Sequence, residues 1–218
     1  MPPFTRLDAL AWMIIGGVVG GRVGHVLLNW NYFESHPGER LALDGIDWHM
    51  ALVAAFFVGA FWAGRRRIDL SALLEPLMPV FLLIILIGWA GCLSGFCAYG
   101  MEVRSLADLP SFFTAETPDV FGIIAPRLNI PAMGIALTLS GGALYGGLRL
   151  LKVGRGLRVW IPLALIAFGL TGLEMFRGDV VPLWWGVRAD AALSLGLALS
   201  ASLCALRRAT TPTRIPQQ

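Results

Sequence analysis

The sequence predicts an all-α fold, a polytopic transmembrane helical bundle of about six spans with a structured outer loop, and three observations predict it. The 218-residue chain is 56% hydrophobic and 14% charged, with a mean hydropathy of +0.70, too apolar for an ordinary soluble domain and too long for a single anchor. A bilayer crossing takes about 20 apolar residues, and such segments recur at roughly 8–29, 48–64, 72–97, 131–148, 159–176 and 186–206. The charges between them alternate in kind. Arg6, Arg65 to Arg67, Arg149, Lys152, Arg155, Arg158, Arg207, Arg208 and Arg214 fall on one side. Glu34, Glu39, Asp44, Asp47, Glu102, Asp108, Glu116, Asp119, Asp179 and Asp190 fall on the other. The positive-inside rule then puts both termini in the cytoplasm and the three acidic loops, 30–47, 98–130 and 177–185, outside.

The first span runs through its glycines into Val26-Leu27-Leu28 rather than to a small-residue cleavage site, so it reads as a retained helix. Gly16, Gly20 and Gly24 recur every four residues, with Gly17 and Gly21 beside them, a face on which another helix can approach closely. Arg22 and His25 share one side of this helix. An arginine near a helix centre costs about 2.5–3.5 kcal/mol on insertion scales and needs an anion or a wet cavity. A lipid phosphate in a cavity open to the outer leaflet would serve, as would an intramembrane acid such as Glu174.

The second span opens on Asp47-Trp48-His49, and the third ends in the glycine-rich run Gly88-Trp89-Ala90-Gly91-Cys92-Leu93-Ser94-Gly95-Phe96-Cys97-Ala98-Tyr99-Gly100. The loop after it mixes prolines with Phe112-Phe113 and Phe121-Gly122-Ile123-Ile124, too apolar for disorder, and reads as a structured cap with interfacial pieces. The fifth span ends in Glu174-Met175-Phe176-Arg177-Gly178-Asp179, and the sixth begins near Gly186-Val187-Arg188-Ala189-Asp190. Several spans thus deliver ionisable residues to one membrane face, the mark of a polar site. Trp30, Trp48, Trp184 and Trp185 fit an outer aromatic belt and Trp160 an inner one. No repeat or linker divides residues 1–218, so one integral membrane domain is expected.

Cys92, Cys97 and Cys204 form no paired framework and no zinc spacing. Five positions is a poor helical spacing for a joint role, so Cys92 and Cys97 are expected as small packing residues. Neither a metal site nor a cofactor is expected. A net charge of +3, spread between apolar segments, serves topology rather than nucleic-acid binding.

From about residue 16 to 206 these motifs resemble the bacterial prolipoprotein diacylglyceryl transferases. "GGRVGHVLLNWNYFESHPGE" (20–39) is similar to that family's glycine-glycine-arginine helix and outer turn. "GIDWHMALVAAFFVG" (45–59) is similar to its aromatic-histidine stretch, which carries the family's essential histidine onto His49. "GWAGCLSGFCAYG" (88–100) falls where its signature lies, "APRLNIPA" (125–132) resembles its arginine-histidine-proline segment, and "EMFRGD" (174–179) resembles the end of a late helix. Trp89, Cys92 and Cys97 stand where the family has arginine, asparagine and glutamate. Met133 replaces a glutamine, and no arginine precedes Glu174 by one turn.

The resemblance implies transfer of diacylglycerol from phosphatidylglycerol to the lipobox cysteine thiol in a prolipoprotein signal peptide. The products would be a thioether and glycerol phosphate, and the setting the bacterial plasma (inner) membrane. Such chemistry needs a base for the thiol and cations for the leaving phosphate. It implies His49 as base with His25 as understudy, and Arg22, Arg127, Arg177 and Arg188 as phosphate or glycerol ligands, one of them oriented by Glu174. The motif region is Gly91, Cys92, Cys97, Tyr99 and Gly100. A non-catalytic relative that binds lipid or a partner protein is the alternative reading, and a small transporter the third.

Overall fold

The computed structural model describes residues 3–42, 45–154 and 156–210. Asp44, Arg155 and Arg214, which contribute to the alternation of charge, lie outside them. The described residues form seven α-helices: α1 (Pro3–Leu28), α2 (Trp30–Ser35), α3 (Trp48–Arg65), α4 (Leu70–Gly95), α5 (Ile130–Leu150), α6 (Leu157–Met175) and α7 (Ala189–Thr210). Two antiparallel hairpins accompany them, β1 (Thr114–Pro118) with β2 (Ile124–Leu128) and β3 (Leu183–Trp184) with β4 (Val187–Arg188). The all-α membrane bundle is therefore the fold. Each of the six expected spans corresponds to a helix, although α4 stops at Gly95 and α7 begins only at Ala189, after β4. Among the described residues α1, α4, α6 and α7 are the four helices long and apolar enough to cross a membrane, and α3 and α5 fall short of that apolarity.

The chain divides into two compact units, Met1–Leu77 and Met78–Gln218. In the first, α1 and α3 pack along the glycine face. A Cβ added at Gly20 would lie 2.1 Å from the Ala54 Cβ, and one at Gly24 would lie 2.2 Å from Met50 Cγ. Only glycine lets the two backbones approach so closely. Asp47 caps α3, its carboxylate accepting from the Met50 N–H at 2.8 Å, while its own N–H donates to the Gly21 carbonyl of α1 at 3.1 Å.

In the second unit the part of α4 from Met78 onward, α5, α6 and α7 follow one another. Trp89 of α4 lies against Gly134 of α5, where an added Cβ would meet the indole at 2.3 Å. Ile166 of α6 similarly fills the space beside Gly141, and α7 packs on α6. Trp160 is buried rather than a belt residue, whereas Trp185 is fully exposed. The expected cap between α4 and α5 is the β1–β2 hairpin. At its tip the Asp119 carboxylate accepts from the N–H groups of Phe121 (2.8 Å) and Ile123 (3.0 Å), and Gly122 takes the positive φ of +79° that the turn needs.

Candidate functional site

In the first unit, α1 carries Arg22 and His25 to the loop beyond α2. Arg22 is 7% exposed. Its Nε donates to the Arg40 carbonyl at 3.0 Å, Nη1 to the Gly45 carbonyl at 3.1 Å and Nη2 to the Glu39 carbonyl. The buried cation thus recruits a loop of backbone dipoles, and its Cζ sits 5.1 Å from the Phe33 ring centre. His25 meets the same ring edge-on at 5.7 Å, and Gly45 leaves no room for a Cβ against the imidazole. Phe33 and Gly45 therefore tie the two residues together. His49, 1% exposed in the first turn of α3, has its ring centre 3.9 Å from that of Trp48. Beyond the residues expected from sequence, Tyr32 stacks on His36 at 4.4 Å and donates to the Glu39 carboxylate at 2.8 Å. That hydrogen bond raises the Tyr32 phenol above its ordinary value, with desolvation and the Glu39 charge adding to the effect.

In the second unit, one extended segment, residues 99–103, gathers most of the rest. It lies between β2 and the chain leaving α6. The Gly100 N–H donates to the Leu128 carbonyl at 3.1 Å and the Met101 N–H to the Phe176 carbonyl at 2.9 Å. The Gly178 N–H returns to the Tyr99 carbonyl at 2.8 Å. Gly100 has backbone on both sides. A Cβ there would lie 2.4 Å from the Leu128 oxygen, and one at Gly178 would lie 2.7 Å from the Gly100 oxygen. Gly91, by contrast, has no described atom within 4 Å of an added Cβ.

Arg127 of β2 is buried, with its Cζ 5.0 Å from the centre of the Tyr99 ring. Its Nη2 reaches Glu102 at 2.8 Å and Asp119 at 3.3 Å, and its Nε is buried with no hydrogen-bond partner among the described residues. Glu174, 0% exposed, lies in the last turn of α6 and accepts the Arg177 N–H at its carbonyl (3.3 Å). Arg177 and Arg188 form a four-member ion network with Asp179 and Asp190. Arg177 Nε reaches Asp179 at 2.9 Å and its Nη1 lies 3.6 Å from Asp190, while Arg188 Nη2 reaches Asp190 at 3.0 Å and Asp179 at 3.3 Å. Arg188 Nη1 also donates to the Arg177 and Asp179 carbonyls at 3.2 and 2.9 Å. Both aspartates stand in the polar runs seen in the sequence, but sequence reasoning selected only the arginines as site residues, although Arg-x-Asp occurs twice, at 177–179 and 188–190.

The cysteine expectation is overturned. Cys92 and Cys97 are bonded as a disulfide with their Cα atoms 4.5 Å apart. Five positions is a poor spacing along a continuous helix, but α4 stops at Gly95 and the chain doubles back through Phe96 and Ala98, both at positive φ. The disulfide lines a cavity together with Leu93, Phe96, Tyr99 and Thr117. Trp89, where the resemblance leads one to expect an arginine, is a packing residue against α5.

These features define a helical membrane protein whose arginine-bearing loops and helix ends are organised around tight glycine contacts. The chain belongs to the prolipoprotein diacylglyceryl transferase family, which matches residues 4–207. It is 28% identical over 213 residues to the phosphatidylglycerol–prolipoprotein diacylglyceryl transferase of Rhodococcus jostii, covering 87% of this chain and 58% of that protein. It is 25% identical over 187 residues to the enzyme of the same name from Trichormus variabilis, covering 81% and 65%. The Dehalococcoides mccartyi enzyme of that name is 30% identical over 96 residues, covering 44% and 37%. The chain thus spans little more than half the length of the first of these relatives.

Proposed function

We propose that this protein transfers diacylglycerol from phosphatidylglycerol to the lipobox cysteine thiol of prolipoproteins in the bacterial plasma membrane. On this reading it has six spans, both termini cytoplasmic and the site toward the outer face. The observation that carries it is the family match along nearly the whole chain. His49 takes the thiol proton, with His25 as the more accessible second base. A free thiol near 8.5 and an imidazole near 6.5 lie within about two units, close enough for efficient transfer. The thiolate sulfur attacks the glycerol carbon, the C–S bond forms as the C–O bond to phosphate breaks, and glycerol phosphate leaves. Arg22, Arg127, Arg177 and Arg188 are the cations available to the leaving phosphate, with Glu174 orienting the arginine one turn beyond it.

A second reading, a non-catalytic relative that binds lipid or a partner protein, is favoured by a specific observation. Arg127, Arg177 and Arg188 already face carboxylates of their own chain, so a phosphate must share or displace an aspartate or glutamate there. The test is a transfer assay in nanodiscs containing phosphatidylglycerol, with a lipobox peptide and the His49→Ala variant alongside. Thioether product that disappears in the variant is the expected result. Lipid retention without product in either protein overturns the enzymatic reading and supports the second.

A further inference from the structure

The disulfide lies at the junction that feeds the central segment of the second unit. Between the end of α4 and Tyr99 the backbone bends through Phe96 (φ +55°) and Ala98 (φ +54°). The left-handed region disfavours a side-chain-bearing residue, at roughly a 5- to 30-fold cost in the closed-to-open ratio for each. The Cys97 N–H to Cys92 carbonyl hydrogen bond, at 3.1 Å, closes the bend, and the disulfide spans the same two residues covalently. The extended segment beyond the bend tolerates little displacement. Tyr99 underlies Arg127, and Gly100 fits between Leu128 and Gly178 with no room for a methyl group.

We propose that the Cys92–Cys97 disulfide is the positioning element of residues 99–103. It holds the two left-handed residues closed, and thereby holds the strand that brings β2, with Arg127, alongside the Arg177 end of α6. Reducing it delivers two electrons and two protons to the sulfurs, breaks the S–S bond into two thiols and frees this strand while the helices stay folded. A phosphine reductant supplies the electrons and becomes its oxide, taking oxygen from water. In the chain-entropy account a loop this short shifts the open-to-closed ratio by at most about 40-fold. Its position at the end of α4 agrees with the outward orientation proposed for the site, where disulfides persist.

The experiment is amide hydrogen exchange on the full chain in lipid nanodiscs. It compares oxidised protein, protein treated with tris(carboxyethyl)phosphine, and the Cys92→Ala/Cys97→Ala double variant. Peptides containing the Gly100, Met101 and Gly178 amides should exchange about tenfold faster or more in the last two samples, within the ceiling set by loop closure. The interiors of α5, α6 and α7 should not change. Adding Ala98→Gly to the double variant should recover about fivefold of the protection, because glycine adopts that φ without penalty. The double variant should ignore the reductant. Equal exchange in all samples, faster exchange spread evenly over the helices, or three titratable thiols in denatured unreduced protein instead of Cys204 alone would each overturn the proposal. The readout does not depend on whether the protein transfers lipid.

Discussion

Gly100→Ala tests the packing that holds residues 99–103 between β2 and the chain leaving α6. The added methyl carbon would lie 2.4 Å from the Leu128 carbonyl oxygen and 2.6 Å from the Leu128 Cβ, so the overlap with an ordinary contact is about 1 Å. Backbone cannot yield as a flexible side chain can, and Gly178 blocks retreat because its own position is fitted against the Gly100 oxygen. The strand must move off β2. That weakens the Gly100 to Leu128 and Leu128 to Met101 hydrogen bonds, both 3.1 Å. Two such bonds at about 1 kcal/mol each, with an overpacking cost of about 1–3 kcal/mol, give a loss of about 3–5 kcal/mol. For a chain of this size that is a fall in Tm of about 10 °C, to be read by tryptophan fluorescence during thermal unfolding in nanodiscs. Gly91→Ala is the control. A methyl group there meets nothing within 4 Å, and replacing a mid-helix glycine gains up to about 1 kcal/mol. Gly100→Ala unfolding within about 2 °C of the parent, or the two substitutions behaving alike, would refute the steric account.

Three further outcomes are expected. Gly20→Ala should lower stability by about 2 kcal/mol, because its methyl would meet the Ala54 methyl at 2.1 Å. Gly20→Ala/Ala54→Gly should restore most of that loss, and an unrescued double variant would point away from a direct contact. Asp190→Asn removes a buried carboxylate shared by Arg177 and Arg188, so a loss of about 3 kcal/mol is expected in denaturant titration. A loss below about 0.5 kcal/mol would make the network a surface arrangement. Tyr32 should ionise above 10.0, because its hydroxyl is held by the Glu39 carboxylate. The folded-state value is raised, so the stability from this contact is present below 10.0 and lost as pH rises through the folded value. Phenolate absorbance should show Glu39→Gln moving the titration back toward 10.0, and an unmoved curve would remove Glu39 as the cause.

The order and length of the helices were legible because burying a backbone in lipid forces long apolar runs, and the runs are visible as composition. The glycine face of α1 was legible for the same reason, since a four-residue repeat of glycine has little use other than close approach. The polar residues at the helix ends could also be picked out, because charge in an apolar chain is costly enough to need a purpose. Their partners could not. Arg177 reads the same in sequence whether it awaits a phosphate or already faces Asp179 and Asp190, and Trp89 gives no sign that it fills the space left by Gly134. The β1–β2 hairpin was expected as a structured cap without strands, since its pairing depends on a turn organised by Asp119 and Gly122.

Consecutive residues were enough to give an all-α membrane bundle, the places where charge gathers at helix ends and, through the order of the motifs, the family to which the chain belongs. The Cys92–Cys97 bond, the four-member arginine–aspartate network and the extended segment 99–103 that ties two loops together appear only in the folded chain. The physical reason is range. Hydropathy and glycine spacing act along a single helix and are written in consecutive residues. Ion pairing, disulfide closure and steric fit depend on where the chain turns after a helix ends, and at Phe96 and Ala98 it turns through a conformation that neither residue type announces.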